Sequence, residues 1–156
     1  MQQEASFMQS IQIIYFALLA GVLMMAGTLY FFVSDGNMSD ELMSPFNFVI
    51  PGIAGFCLFL SHFLYSKRKA EGAQLKDVHE KMNHYRASFI LRVAPLEGAA
   101  LICIIIHFFM NQHWLYLACA GILLLSFLQA QPSLDQFAVD YELSESDKKI
   151  VEAAKA

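Results

Sequence analysis

The sequence predicts an all-α integral membrane protein. Four transmembrane helices form two hairpins, the N and C termini are cytoplasmic, the third helix extends into the cytoplasm and the C-terminal tail is short and helical. Three observations predict this. Hydrophobic residues make up 57% of the 156 residues and charged residues only 15%, whereas apolar residues stay below about half in soluble domains. The apolar residues gather into runs at 11–33, 46–65, 93–110 around Glu97, and 114–128, and a helix needs about 20 such residues to cross a bilayer. Charge is also unequal between the connections, which sets orientation. The spans fall at about 11–33, 46–66, 87–110 and 113–131, in a transmembrane domain of 1–132 with a cytoplasmic loop at 66–86 and a cytoplasmic tail at 133–156.

The first run is too long for a signal-peptide core and lacks a small-residue cleavage site, so it reads as a retained span. Ala17 and Gly21 give it a small-xxx-small spacing, which lets a neighbouring helix approach closely in lipid. The connection at 34–45 carries Asp35, Asp40 and Glu41 with no basic residue, and its Asp-Gly pair and Pro45 mark a short external loop. In the second span, Pro51, Gly52 and Gly55 are expected to kink or thin the helix. His62 lies near its cytoplasmic end and His107 near the other surface, so the two cannot meet as axial ligands of a haem.

The loop at 66–86 holds six basic residues, Lys67, Arg68, Lys69, Lys76, Lys81 and Arg86. That places it in the cytoplasm by the positive-inside rule, and Lys148, Lys149 and Lys155 in the tail agree. Ala70 to Ala73 reads as a turn, with Gly72 as a helix C-cap. Leu75, Val78, Met82, Tyr85 and Phe89 recur at gaps of three and four, one helical face. Helix three therefore begins near Leu75 as a stalk, 75–86, whose apolar stripe takes the tail or a partner, and Asp77 and Lys81 form an i,i+4 pair.

Glu97 lies well inside the third run, where a charge costs roughly 2.5 kcal/mol or more unless a partner, a water-filled cavity or protonation offsets it. It is the candidate for ion coupling, with Arg86, Arg92 and His62 as possible polar neighbours. Arg92 is five residues away, on another face, and is expected to snorkel toward the headgroups. Pro95 frees the carbonyl of Leu91 just below the carboxyl. Setting Ala17 and Gly21 against Ala94 and Gly98, and Gly55 against Gly121, suggests an internal duplication, with spans one and three crossing near Gly21 and Gly98. All six small residues are candidate helix-packing positions.

The fourth span opens at Trp114 and Tyr116, an interfacial aromatic belt, and closes at Pro132. In the tail, Ser133 with Gln136 and Ser144 with Asp147 are N-cap pairs, so it should hold two short helices. Cys57, Cys103 and Cys119 lie inside apolar runs without metal or disulfide spacing.

The stretch around Glu97 resembles the carboxylate-bearing helix of rotary ATPase membrane-ring subunits, where a mid-membrane Glu among small residues carries a proton or sodium ion. The resemblance covers about one helix and implies an analogous mechanism; the glycine-repeat helix of that family is absent. The whole chain also looks like the many four-span proteins of bacterial inner membranes, a likeness that implies no activity.

No catalytic constellation, nucleotide loop, metal spacing or cofactor motif stands out, and a net charge of −4 gives no sign of nucleic-acid binding. The leading expectation is a structural or accessory subunit of a larger inner-membrane complex, not an enzyme. It would contact the lipid bilayer and a protein partner or homo-oligomer within the membrane, with stalk 75–86 and tail 133–156 as docking elements. One alternative is proton- or cation-coupled transport through Glu97. Another is a membrane enzyme or a lipid- or quinone-binding module, using His107, His113 and Asp40 at one face or His62 and Arg92 at the other.

Overall fold

A computed structural model describes residues 2–34, 45–111 and 113–153; the expected acidic loop, with Asp35, Asp40 and Glu41, lies outside the described residues. Among these the chain is all helix, without strands. The helices are α1 (Gln2–Phe32), α2 (Phe46–Ala73), α3 (Val78–Ile106, continued by a π-helical turn at His107–Asn111), α4 (Trp114–Gln129), α5 (Leu134–Asp140) and α6 (Glu145–Ala153).

The first three are long and apolar enough to cross a membrane. At 16 residues, α4 is about 24 Å long, short of the roughly 30 Å hydrocarbon core. The chain then bends by 80° into α5, so the count is three spans, or four if that bent pair is one. Large apolar side chains face outward along them, among them Phe31, Phe32, Phe48 and Phe59. An exposed belt of this kind suits contact with lipid.

The core is organised around α3, which packs against α1, α2 and α4. Close packing of the three later helices uses the buried small residues Ala54, Ala99, Ala100, Cys103, Cys119 and Ala120. α1 packs through a stripe of Phe7, Ile11, Tyr15, Val22 and Leu29, all buried; the Tyr15 ring lies 6.3 Å from Phe89 of α3 and stacks on Phe127 of α4 at 5.0 Å. Where two packed hairpins were expected, α1 lies along α3 and not in a packed pair with α2. The cause is the stripe: its bulky side chains fit the aromatic face of α3, while the small residues of α1 point away from it.

The loop expected at 66–86 is mostly helix. α2 runs unbroken through Pro51 and past Lys67 to Ala73, and α3 begins at Val78 behind an Asp77 N-cap that accepts from the Glu80 backbone N–H at 3.2 Å. Only 74–77 connect them. Gly72 is thus inside the last turn of α2 and does not supply a left-handed cap. Its role is space: a Cβ there would lie 2.2 Å from Tyr141 Cε1. Asp77, engaged as the cap, does not pair with Lys81.

The apolar stalk stripe Val78, Met82, Tyr85 and Phe89 is buried. The tail folds back so that Phe137, Tyr141, Leu143 and Val151 join the same core cluster. Both N-cap pairs form: Gln136 N–H donates to Ser133 Oγ at 3.1 Å, while Ser144 and Asp147 exchange two backbone-to-side-chain bonds of 3.2 Å. A Gly72→Ala substitution should force the hydrogen-bonded Tyr141 ring to move and cost about 1–3 kcal/mol, the usual range for overpacking. Thermal unfolding in detergent should show a lower midpoint and earlier protease cleavage after Gln131. An unchanged midpoint would mean that the ring gives way freely.

Candidate functional site

Polar chemistry is concentrated at three levels of the bundle. The first is the junction where the tail meets the ends of α2 and α3. The stalk segment 66–86 carries six basic residues against three acids, and the tail six acids against three lysines, so the two attract. Asp140, buried at the end of α5, accepts a hydrogen bond from Tyr65 Oη at 2.6 Å and pairs with Lys69 Nζ at 2.5 Å. Lys81, also buried, donates to the Tyr141 carbonyl at 2.8 Å, where the C-terminal end of α5 favours a cation.

Tyr141 is the centre of a directional set. Ser88 Oγ donates to the His84 carbonyl at 2.7 Å, so its oxygen is left to accept from the Tyr141 hydroxyl at 3.3 Å. The phenol oxygen also lies in hydrogen-bond contact with His84 Nδ1 at 2.9 Å, the imidazole tautomer setting which of the two donates. Burial pushes the Tyr141 phenol above its ordinary range, which keeps that donor proton in place. The rings of Tyr85, Phe137 and Tyr141 lie at mutual distances of 4.8 to 5.6 Å. The arrangement holds the tail.

The second level is Glu97. Its α3 face is divided: Val93, Ile104 and Phe108 are buried and Ile90 is exposed, so the half-buried carboxyl sits on the margin of the packed face. Among the described residues it has no hydrogen-bond or ion-pair partner. None of the three expected neighbours among the described residues is hydrogen-bonded or ion-paired to it. Arg86 and His62 are exposed, and Arg92 faces α2, its guanidinium carbon 4.4 Å from the centre of the Tyr65 ring and its carbonyl accepting from Ser61 Oγ at 2.6 Å. Arg92 therefore enters the α2–α3 seam, where free snorkelling was expected.

The small residues beside Glu97 are open. Ala94 is exposed, and a Cβ at Gly98 would meet nothing within 4 Å. The same holds for Gly21, Gly55 and Gly121, and Ala17 is exposed as well. The expected crossing of α1 and α3 at Gly21 and Gly98 is thus absent. In the Ala-Gly pairs at 54–55 and 120–121 the alanine packs inward and the glycine does not.

At the far end of the bundle, Tyr116 Oη donates to the buried Asn47 side chain. His113 caps α4 by accepting the Leu115 N–H at 3.1 Å, and its carbonyl lies 3.1 Å from His107 Nδ1. No group of three His, Cys, Asp or Glu among the described residues could hold a metal ion, and the cysteines are free thiols. The residues that sequence reasoning passed over are Tyr65, Lys69, His84, Ser88, Asp140 and Tyr141. The opposite charges of stalk and tail were the available signal.

Replacing Asp140 by Ala should strip two donors of their acceptor and loosen the tail by about 1–3 kcal/mol, toward the lower end because Lys69 is 44% exposed and screened by water. Asp140→Asn, which still accepts from Tyr65, should cost less. Limited proteolysis of the tail measures the order; equal cleavage of both variants and wild type would remove the Asp140 contacts as its anchor.

Comparison with protein-family models, curated proteins and solved structures returned no match.

Proposed function

We propose that the chain is a structural or accessory subunit, not an enzyme, of a larger complex in a bacterial inner membrane, with its termini, stalk and tail in the cytoplasm. The observation that carries this reading is Glu97. A carboxyl within an apolar span, half-exposed and without a hydrogen-bond or ion-pair partner among the described residues, leaves a deficit of roughly 2.5 kcal/mol or more. A second membrane helix that donates a hydrogen bond or a cation would remove it. The adjoining surface suits such a helix, because Ala94 and Gly98 allow close backbone approach and are uncovered. Open small residues on α1, Ala17 and Gly21, offer a further contact of the same kind.

The basic stalk supports the orientation by the positive-inside rule. The tail, folded onto the stalk, presents an ordered end to the aqueous phase and supports a docking role. Ion coupling through Glu97 draws on the same free carboxyl. It needs a polar pathway on either side, and among the described residues Arg86, Arg92 and His62 make no hydrogen bond or ion pair with the carboxyl, Arg92 resting on Tyr65 instead. The enzyme or quinone reading has less support: His107 Nδ1 and the His113 carbonyl and Nδ1 are engaged in the turn between α3 and α4, which leaves the buried His113 Nε2 without a hydrogen-bond partner among the described residues.

Extraction from native membranes in mild detergent, followed by mass measurement, tests the proposal. Wild type and Glu97→Gln, which keeps a hydrogen-bonding side chain, should both run as an assembly with a stoichiometric partner or further copies. Gly98→Leu, which fills the open surface, should run as a monomer. A monomeric wild type would sink the subunit reading. Intact assembly of Glu97→Gln with loss of proton flux in vesicles would favour ion coupling instead.

A further inference from the structure

A second charge on α3 is left uncompensated, independently of Glu97. Arg92 shares its helical face with Tyr85, Ser88, Leu96 and Ala99, at offsets of four and seven residues, and all four are buried. Its side chain is therefore directed into the α2–α3 seam and is itself half-buried. On one flank of that face Pro95 is half-buried and Leu91 is exposed, so the seam opens outward there.

One face of the guanidinium rests on the Tyr65 ring at 4.4 Å, and Tyr65 is held by its bond to Asp140. A cation set on an aromatic face is attracted by the ring, yet that contact uses none of the five N–H donors. Among the described residues the guanidinium makes no ion pair and donates no hydrogen bond. The carboxylate nearest in the network, Asp140, is already shared by Tyr65 and Lys69. An arginine fixed in a helix seam at the end of the apolar spans, with its planar fork unoccupied, is matched to a phosphate.

We propose that the α2–α3 seam at Arg92 binds the phosphate of an anionic phospholipid in the leaflet on the stalk side. The Tyr65 ring fixes the plane of the guanidinium, so its donors meet the phosphate edge-on. Acyl chains lie against Leu91 and the apolar outer surface of α3. Basic pockets between membrane helices recognise such headgroups in this way. Arg86 and Lys67, exposed nearby on the stalk side, attract the same lipids through the general surface field without forming a site.

Native mass spectrometry of the full chain in mild detergent tests this, with phosphatidylglycerol, phosphatidylcholine and inorganic phosphate as separate probes. Wild type should prefer phosphatidylglycerol over phosphatidylcholine by about fivefold, the worth of one basic side chain at an anionic surface. Arg92→Gln should bring the two to parity, while Arg86→Gln should keep the preference. Arg92→Lys retains the charge, and with it the fold, but lacks the planar fork and should weaken the preference. No preference in wild type, or an unchanged one in Arg92→Gln and Arg92→Lys, would overturn the site. Equal occupancy by inorganic phosphate would assign it to a soluble anion and overturn the lipid.

Discussion

Every charge or polar group placed inside an apolar bundle must be given a partner there, and this constraint shapes the chain from end to end. At the tail junction Asp140 answers both Lys69 and Tyr65, and the Tyr141 carbonyl answers the buried Lys81. At the far end Asn47 and Tyr116 satisfy one another, while two histidines organise the turn between α3 and α4. Among the described residues the buried His113 Nε2 has no hydrogen-bond partner, and two groups on α3 are likewise left over, the Glu97 carboxyl and the Arg92 guanidinium. They are five residues apart, about 140° around the helix, and cannot neutralise one another. The central helix thus carries two separate polar groups without such a partner, each on its own face.

The tail junction explains why the stalk is helical to its tip. Basic, polar sequence such as 66–73 has little reason to continue a membrane helix in isolation, and most helical stability comes from packing. Here the Tyr141 ring packs over Gly72, Lys69 meets Asp140, and Val78, Met82 and Tyr85 are covered. The long hairpin and the tail stabilise one another. The result is an ordered cap on a bundle whose sides are apolar and exposed.

Features encoded by local pattern were legible in the sequence. The three long apolar helices, the stalk stripe from Val78 to Phe89 and the caps at Ser133 and Ser144 follow from periodicity or from spacings within one turn. Features set by tertiary contact were not. Gly72 has the composition of a helix end, but its neighbour is Tyr141, distant in sequence. Ala-Gly pairs marked the right turns of α2 and α4 without showing which residue faced inward, a matter of about 100° per residue. Arg92 could be placed at a depth but not on a face, because its Tyr65 partner is on another helix. Glu97 was legible as a problem, whereas its lack of a partner among the described residues required the fold.

The most direct test of the claim that another protein covers the Glu97 margin is crosslinking in native membranes from a photoreactive side chain at Ala94, the exposed position one turn from Glu97. A discrete protein adduct, a partner or a second copy, is the result expected, with none from the same group placed at the exposed Phe59. Adducts to lipid alone at Ala94 would contradict the account, because the carboxyl would then stand beside hydrocarbon with nothing to meet it.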